Sequence, residues 1–333
     1  MQVPRTSGRW RLLAVRWARC VVPLVLITVL AMRVGAGPFL QAGHVLTPGP
    51  IAAALLLGLV TTTAQALRWR TVAQAFGSGA GLTRAGAVRE CYRAAFLNTA
   101  LPGGLAGDAV RAWRRGADHQ RAEQERADHH HHRDGDRPRR LGRVLRSAAG
   151  SVVVERAVGT ALLLLATAAA ALPVDRRLSA LALVMAVVAS VVAGPGLARL
   201  SGSARAAVLG WSLVAMTSLI TKVAVAAVAL GTVHGVANML VLATFLLAGG
   251  SVPLGFGGFG PRETAAAYAF AGLGLSAAAG VATSAAFGLL AVVSVLPGVP
   301  IMLLGSRRLR PGPLGAGPLG AGPSSVLDVG RAG

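Results

Sequence analysis

The feature that most constrains this chain is a recurrence of apolar runs about as long as a bilayer is thick. A hydrocarbon core of about 30 Å takes roughly 20 apolar residues in helical form. Six runs approach that length: Leu13 to Met32, Pro50 to Leu67, Ser147 to Leu172, Leu178 to Gly194, Ala206 to Val233 and Ala277 to Leu304. Composition agrees, because the 333 residues are 54% apolar and only 14% charged, against roughly 45–50% and about 25% in ordinary soluble domains. A mean hydropathy of +0.61 points the same way. So little charge argues against a soluble enzyme.

Two further apolar pieces are broken by Gly and Pro. One is Ala87 to Trp113, with Pro102, Gly103, Gly104, Gly107, Asp108 and Arg111 around the break. The other is Val236 to Leu275, with Pro253, Gly255, Gly257, Gly258, Gly260, Pro261, Arg262 and Glu263. Irregular backbone at membrane depth is tolerated only inside protein or beside a water-filled cavity. Each piece therefore reads as two short helical arms. The predicted fold class is an all-α polytopic integral membrane protein, with about six full transmembrane helices and two Gly/Pro-broken re-entrant hairpins.

The net charge of +21 comes from 32 Arg and one Lys set against 12 acids. These bases lie mainly in blocks beside the apolar runs, as cytoplasmic loops facing anionic lipid do, so no nucleic-acid partner is expected. The first nineteen residues hold five Arg and no acid, and the segment from Arg111 to Arg146 holds eleven Arg against six acids. With Arg307, Arg308 and Arg310 they predict cytoplasmic N- and C-termini. Asp175 partly offsets the Arg176/Arg177 doublet, which this orientation leaves outside. The expected layout is a basic N-terminus (1–12), a membrane domain (13–304) and a flexible Gly/Pro-rich tail (305–333). Within the membrane domain, 117–140 reads as a disordered His/Arg-rich cytoplasmic loop. A signal peptide is the alternative for the first run, although AGAGPFLQAG lacks a clean A-x-A site.

Opposed broken helices in two halves of a transporter point to a binding site near the midplane. A Gly-rich loop feeding a helix start presents N–H groups and the positive end of the helix dipole. An added Arg fork suits a phosphate. Arg111 and Arg262 are thus the candidate phosphate ligands, with Gly103, Gly104, Gly107, Gly257, Gly258 and Gly260 supplying backbone. Asp108 and Glu263 are expected to cap the two helices; simple turns capped by these acids are the bland alternative. Gly255-x-Gly257-x-x-Gly260 matches a dinucleotide fingerprint formally, but it lacks the preceding strand and the βαβ context.

Intramembrane ionisable residues are functional candidates by default. Glu155 and Arg156 are adjacent, so they point about 100° apart on a helix of 3.6 residues per turn and each needs another partner, unless they snorkel to the interface. Lys222 is expected to face the bundle interior, with Glu155, Asp108 or Glu263 as partner. Cys20 and Cys91 form no metal or disulfide pattern and read as small hydrophobes. The His129–His132 run lacks ligand spacing that fixes a geometry, so neither metal nor cofactor is expected.

Asn98 with LPGGLAGDAVRAW, SVVVERAVG at Ser151–Gly159, PLGFGGFGPRE at Pro253–Glu263 and LPG at Leu296–Gly298 together resemble one family. It is the lysylphosphatidylglycerol synthase transmembrane region, or flippase-like membrane domain, and the resemblance runs from about Arg11 to Leu304. Ala106 stands where that family often has glycine, and the His-rich insertion is unusually long. Residues 305–333 are too few for the fused synthase module, so the resemblance implies lipid handling rather than aminoacylation. By motif match it carries over Asp108, Arg111, Glu155, Arg156, Arg262 and Glu263. The leading expectation is a flippase-like protein that binds or translocates a phospholipid or polyisoprenyl-phosphate lipid. Its rivals are a membrane subunit recruiting a lipid-modifying enzyme through its basic loop, and an intramembrane lipid transferase.

Overall fold

The computed structural model describes residues 37–79, 81–101, 106–128, 137–233, 235–252 and 260–301. Those residues form helices joined by turns, with no strand among them. In chain order the helices are α1 (Gly37–Gly43), α2 (Pro48–Ala75), α3 (Arg84–Ala100), α4 (Ala106–Asp128) and α5 (Arg137–Ala171). They continue with α6 (Arg176–Leu197), α7 (Gly202–Ala229), α8 (Val236–Ser251), α9 (Pro261–Gly272) and α10 (Ala277–Val295). Five segments are long and apolar enough to cross a membrane: Pro48–Ala75, Arg146–Ala171, Arg176–Leu197, Gly202–Ala229 and Ala277–Ile301. They correspond to five of the six predicted spans. The sixth, Leu13 to Met32, lies outside the described residues, as do 1–12, the His129–His132 run and the 305–333 tail.

The distribution of side chains is inverted relative to a soluble bundle. On α6, Leu181, Val184, Val187, Val188 and Val191 are exposed, while Arg68, Arg111, Glu155, Lys222, Arg262 and Glu263 are buried. Apolar groups outside and charges inside suit a chain whose outer solvent is lipid. The described chain is that of an all-helical, multi-pass membrane protein.

Helices α2, α5, α7 and α10 make up the centre, with α8 packed against α5, α7 and α9. One core runs between α2, α7, α8, α9 and α10 around Val223, Leu242, Leu246, Phe270, Phe287 and Leu290. Small residues set how closely the helices approach. A Cβ on Gly58 of α2 would lie 2.6 Å from the Ser294 Cβ of α10, and one on Gly249 of α8 2.6 Å from the Pro261 carbonyl oxygen at the start of α9.

Both interrupted pieces fold as antiparallel helix pairs. In the first, Asn98 of α3 meets Asp108 of α4 while Cys91, two turns back, meets Arg111. In the second, Gly249 of α8 packs on the start of α9, and Phe245 stacks on Tyr268 with centroids 6.4 Å apart. Three of their four arms are short, with 17 residues in α3, 16 in α8 and 12 in α9, while α4 has 23. At 1.5 Å per residue α9 is about 18 Å long.

The stretch 117–140, expected as a disordered loop, is helical where it is described: α4 continues to Asp128 and α5 begins at Arg137, while 129–136 lies outside the described residues. Its Ala, Gln, Glu and Arg residues are good helix formers, so a sequence too polar for a core still extends a helix already nucleated at Ala106.

Candidate functional site

The apolar run in α2 ends at Leu67, but the helix and its buried face do not. Gly58, Thr61, Thr62, Arg68, Trp69 and Val72 lie on that face, at the helical repeat. Arg68 therefore enters the bundle two turns before the helix ends. Its Nε donates to Glu155 Oε1 of α5 at 3.0 Å, Nη2 meets the same oxygen, and Nη1 donates to Ser212 Oγ of α7 at 3.1 Å. Gly159, one turn beyond Glu155, leaves space for the guanidinium: a Cβ there would lie 2.8 Å from Arg68 Nη1.

Glu155 holds a second cation. Its Oε2 accepts from Arg111 Nη2 of α4 at 3.0 Å. The same nitrogen lies 2.8 Å from Asp108 Oδ1, one turn back along α4. Arg111 also donates to Cys91 Sγ at 3.0 Å and sits 4.7 Å above the Trp69 ring. Asp108 Oδ2 pairs with the half-exposed Arg156 and accepts from Asn98 Nδ2 at 3.1 Å. Three guanidiniums thus share two carboxylates across α2, α4 and α5.

A second polar cluster lies at the start of α9. Arg262 donates through Nε and Nη2 to Glu263 Oε1, at 3.2 and 3.0 Å. Ser284 Oγ of α10 bridges the pair, 3.1 Å from Arg262 Nε and 2.9 Å from Glu263 Oε1. The Arg262 guanidinium also stands 5.4 Å over the Phe287 ring. Glu263 Oε2 accepts the N–H of Gly260, whose φ of +100° favours glycine.

Between the two clusters lies a cavity of about 270 Å³. Its wall includes Arg68, Arg156 and Arg262, the polar groups of Gln65, Thr160, Ser212 and Ser251, and apolar Leu163, Met216, Leu219 and Phe287. Among the described lining residues there is no carboxylate. The acids stand behind the arginines, holding them while the cavity side stays cationic. A concave site with a few placed polar groups in an apolar wall is the usual form of a small-ligand pocket. Three guanidiniums give it the donor chemistry for an anion such as phosphate.

The expected site residues divide between this wall and the layer behind it. Arg262 and Arg156 line the cavity, whereas Arg111 is not in its wall. Asp108 lies in the first turn of α4, and its carboxylate goes to Arg111 and Arg156. Glu263 does cap its helix, while also holding Arg262. The Gly107 N–H donates to Asn98 Oδ1 at 2.7 Å, and that of Gly260 to Glu263. Neither is the free phosphate donor that was anticipated, because side chains of the same hairpin satisfy both. Gly107 has a packing role instead, as a Cβ there would lie 2.0 Å from the Ala94 carbonyl oxygen. Gly103, Gly104, Gly257 and Gly258 lie outside the described residues.

Glu155 and Arg156 find separate partners, as their helix angle requires. Lys222 is interior but meets none of the three acids proposed for it; its Nζ donates to Ser294 Oγ at 3.0 Å. Cys91 is buried with Trp69 and Ala87, and it also accepts a hydrogen bond. Sequence reasoning missed Arg68, which directly follows the predicted span Pro50 to Leu67. The stripe Gly58, Thr61, Arg68 of small and polar residues at helical spacing was the available signal.

No family model, no curated protein and no solved structure matches this chain.

Proposed function

We propose that the protein binds the phosphate of a membrane lipid in the arginine-lined cavity and moves that headgroup between leaflets, as a flippase-like protein of a bacterial cell membrane. The observation that carries this reading is the cavity itself, walled by Arg68, Arg156 and Arg262 with no carboxylate among its described lining residues. Its arginines keep their carboxylates behind them, so the edges they turn to the cavity can take an anion's oxygens. In a membrane the abundant anion with the right fork geometry is a lipid phosphate, from a phospholipid or a polyisoprenyl phosphate. The two helix hairpins are read as re-entrant, entering and leaving at one face, with both termini cytoplasmic. That layout, six full spans and the resemblance to the flippase-like family all belong to this reading.

The test is native mass spectrometry of gently extracted protein, comparing wild type with Arg156→Gln/Arg262→Gln. Both substitutions remove the charge and the guanidinium fork while leaving a polar, uncharged side chain. A phosphate-lipid adduct on wild type that the double variant lacks is the expected result. Identical, non-selective lipid adducts on both proteins would remove the phosphate site.

A further inference from the structure

Every buried arginine described above has a carboxylate: Arg68 and Arg111 share Glu155, Arg111 also has Asp108, and Arg262 has Glu263. Lys222 differs. It is 3% exposed on α7, and its hydrogen bond is to the hydroxyl of Ser294 on α10, which in turn donates to the Ala291 carbonyl at 2.7 Å. Among the described residues no ion pair includes Lys222. An ammonium that stays charged out of water needs a compensating anion, and none of the described residues supplies one here.

Position suggests where that anion comes from. Lys222 lies one turn past Leu219, and Ser294 one turn past Ala291; both Leu219 and Ala291 line the arginine cavity. Helical side chains lean towards the N-terminus of their own helix, which aims Lys222 back at the cavity. The neighbouring seam is hydroxylic, with Thr61 of α2 and Ser218 of α7 bonded at 2.7 Å. Ten residues separate Ser212, the α7 partner of Arg68, from Lys222. That is about 15 Å along the helix, or about half the hydrocarbon core.

We infer that Lys222 is a second station for the anionic headgroup, which leaves the Arg68 end of the arginine cavity and pairs with the Lys222 ammonium one helical turn past the cavity's Leu219 edge. The inference rests on the phosphate-lipid reading above and turns a single pocket into a two-point path. The chain contains one lysine, so protein labelled with ε-15N-lysine gives one Nζ resonance from the unaltered sequence. In a neutral maltoside detergent it would be titrated separately with phosphatidylglycerol, a polyisoprenyl monophosphate and inorganic phosphate. The expected result is a resonance that moves with the lipid that binds, at the midpoint of adduct formation, and is unmoved by inorganic phosphate at the same concentration. In proteoliposomes, Lys222→Met should slow flipping of a fluorescent phosphatidylglycerol by on the order of tenfold, the loss of one charged hydrogen bond. Lys222→Arg, which keeps the charge, should retain most of the rate. A resonance that stays put while lipid binds, an equal response to inorganic phosphate, or a Met variant flipping at the wild-type rate would each overturn the second station. Absence of any phosphate-lipid binding to wild type would instead refute the arginine cavity, and the Lys222 station with it.

Discussion

Glu155 is the residue on which the buried charges depend most, and Glu155→Gln is the sharpest test of that arrangement. The carboxylate is 2% exposed and serves both Arg68 and Arg111. Glutamine keeps the shape and one acceptor oxygen but removes the charge, leaving three guanidiniums with Asp108 alone. Removing one partner of a buried ion pair costs about 3–5 kcal/mol, and a carboxylate shared by two cations belongs near the top of that range. Thermal unfolding in detergent should then drop by about 10 °C or more. A double-mutant cycle separates this from simple loss of packing. Arg68→Met added to Glu155→Gln removes the cation that the first change stranded, so the double variant should be more stable than the summed single effects by about 1–3 kcal/mol. Two results would refute the reasoning: a Glu155→Gln protein within about 1 kcal/mol of wild type, or singles that add to within about 0.5 kcal/mol.

Glycine substitutions probe the packing around the same network. Gly159→Ala places a Cβ 2.8 Å from Arg68 Nη1 and should weaken the phosphate-lipid adduct seen by native mass spectrometry, with a stability cost of about 1–3 kcal/mol. Gly107→Ala meets backbone at 2.0 Å, so the α3–α4 pair must separate and the melting temperature should fall further than for Gly159→Ala. Gly210→Ala on α7 is the matched control: nothing lies within 4 Å of its added Cβ, and the helix should gain about 0.5–1 kcal/mol. At the start of α6, Asp175 accepts from the Tyr268 hydroxyl at 2.7 Å and from the N–H groups of Arg177 and Leu178. These bonds, that of Tyr268 foremost, hold its carboxyl below the ordinary aspartate value. Its contribution is therefore complete above the ordinary aspartate pKa and lost as pH falls through the lower folded value. Unfolding curves between pH 3 and 7, an interval chosen to bracket the usual aspartate pKa of about 3.9, should show a smaller acid-induced loss in Tyr268→Phe than in wild type.

The spans were legible because apolar length is a one-dimensional property: four of them fall within about four residues of their sequence limits, and the fifth, ending at Leu67, runs on as helix to Ala75. The two hairpins were legible for a related reason, since Pro and Gly clusters interrupt a helix wherever they occur. The site was legible only as a set of charged residues, without their pairings. Asp108, Arg111, Glu155, Arg156, Arg262 and Glu263 were recognisable as ionisable groups in apolar surroundings. That Glu155 takes Arg68 and Arg111, while the adjacent Arg156 reaches Asp108, depends on how α2, α4 and α5 are rotated against one another. Arg68 was hidden by its position at the edge of an apolar run, where an arginine commonly marks the membrane surface. The expected role of the glycine N–H groups failed for a local reason: Asn98 and Glu263 lie close enough in the hairpins to satisfy Gly107 and Gly260 themselves.

The placement of the acids explains how an arginine cavity can persist inside such a bundle. Burying a guanidinium alone would be prohibitive, and lining the cavity with its counter-charge would cancel its attraction for an anion. Glu155 and Glu263 avoid both outcomes by pairing with Arg68 and Arg262 away from the cavity wall. A planar guanidinium makes this possible because its five N–H groups point along different edges. One edge can be neutralised within the protein while another faces the cavity. Arg68 shows the division, with Nε on Glu155 and Nη1 on Ser212, which itself lines the cavity. An ammonium has no such edges to divide. A lysine with a carboxylate partner would be held by it as a point charge, so Lys222, a buried cation with no ion pair among the described residues, is suited to accept a headgroup and release it again.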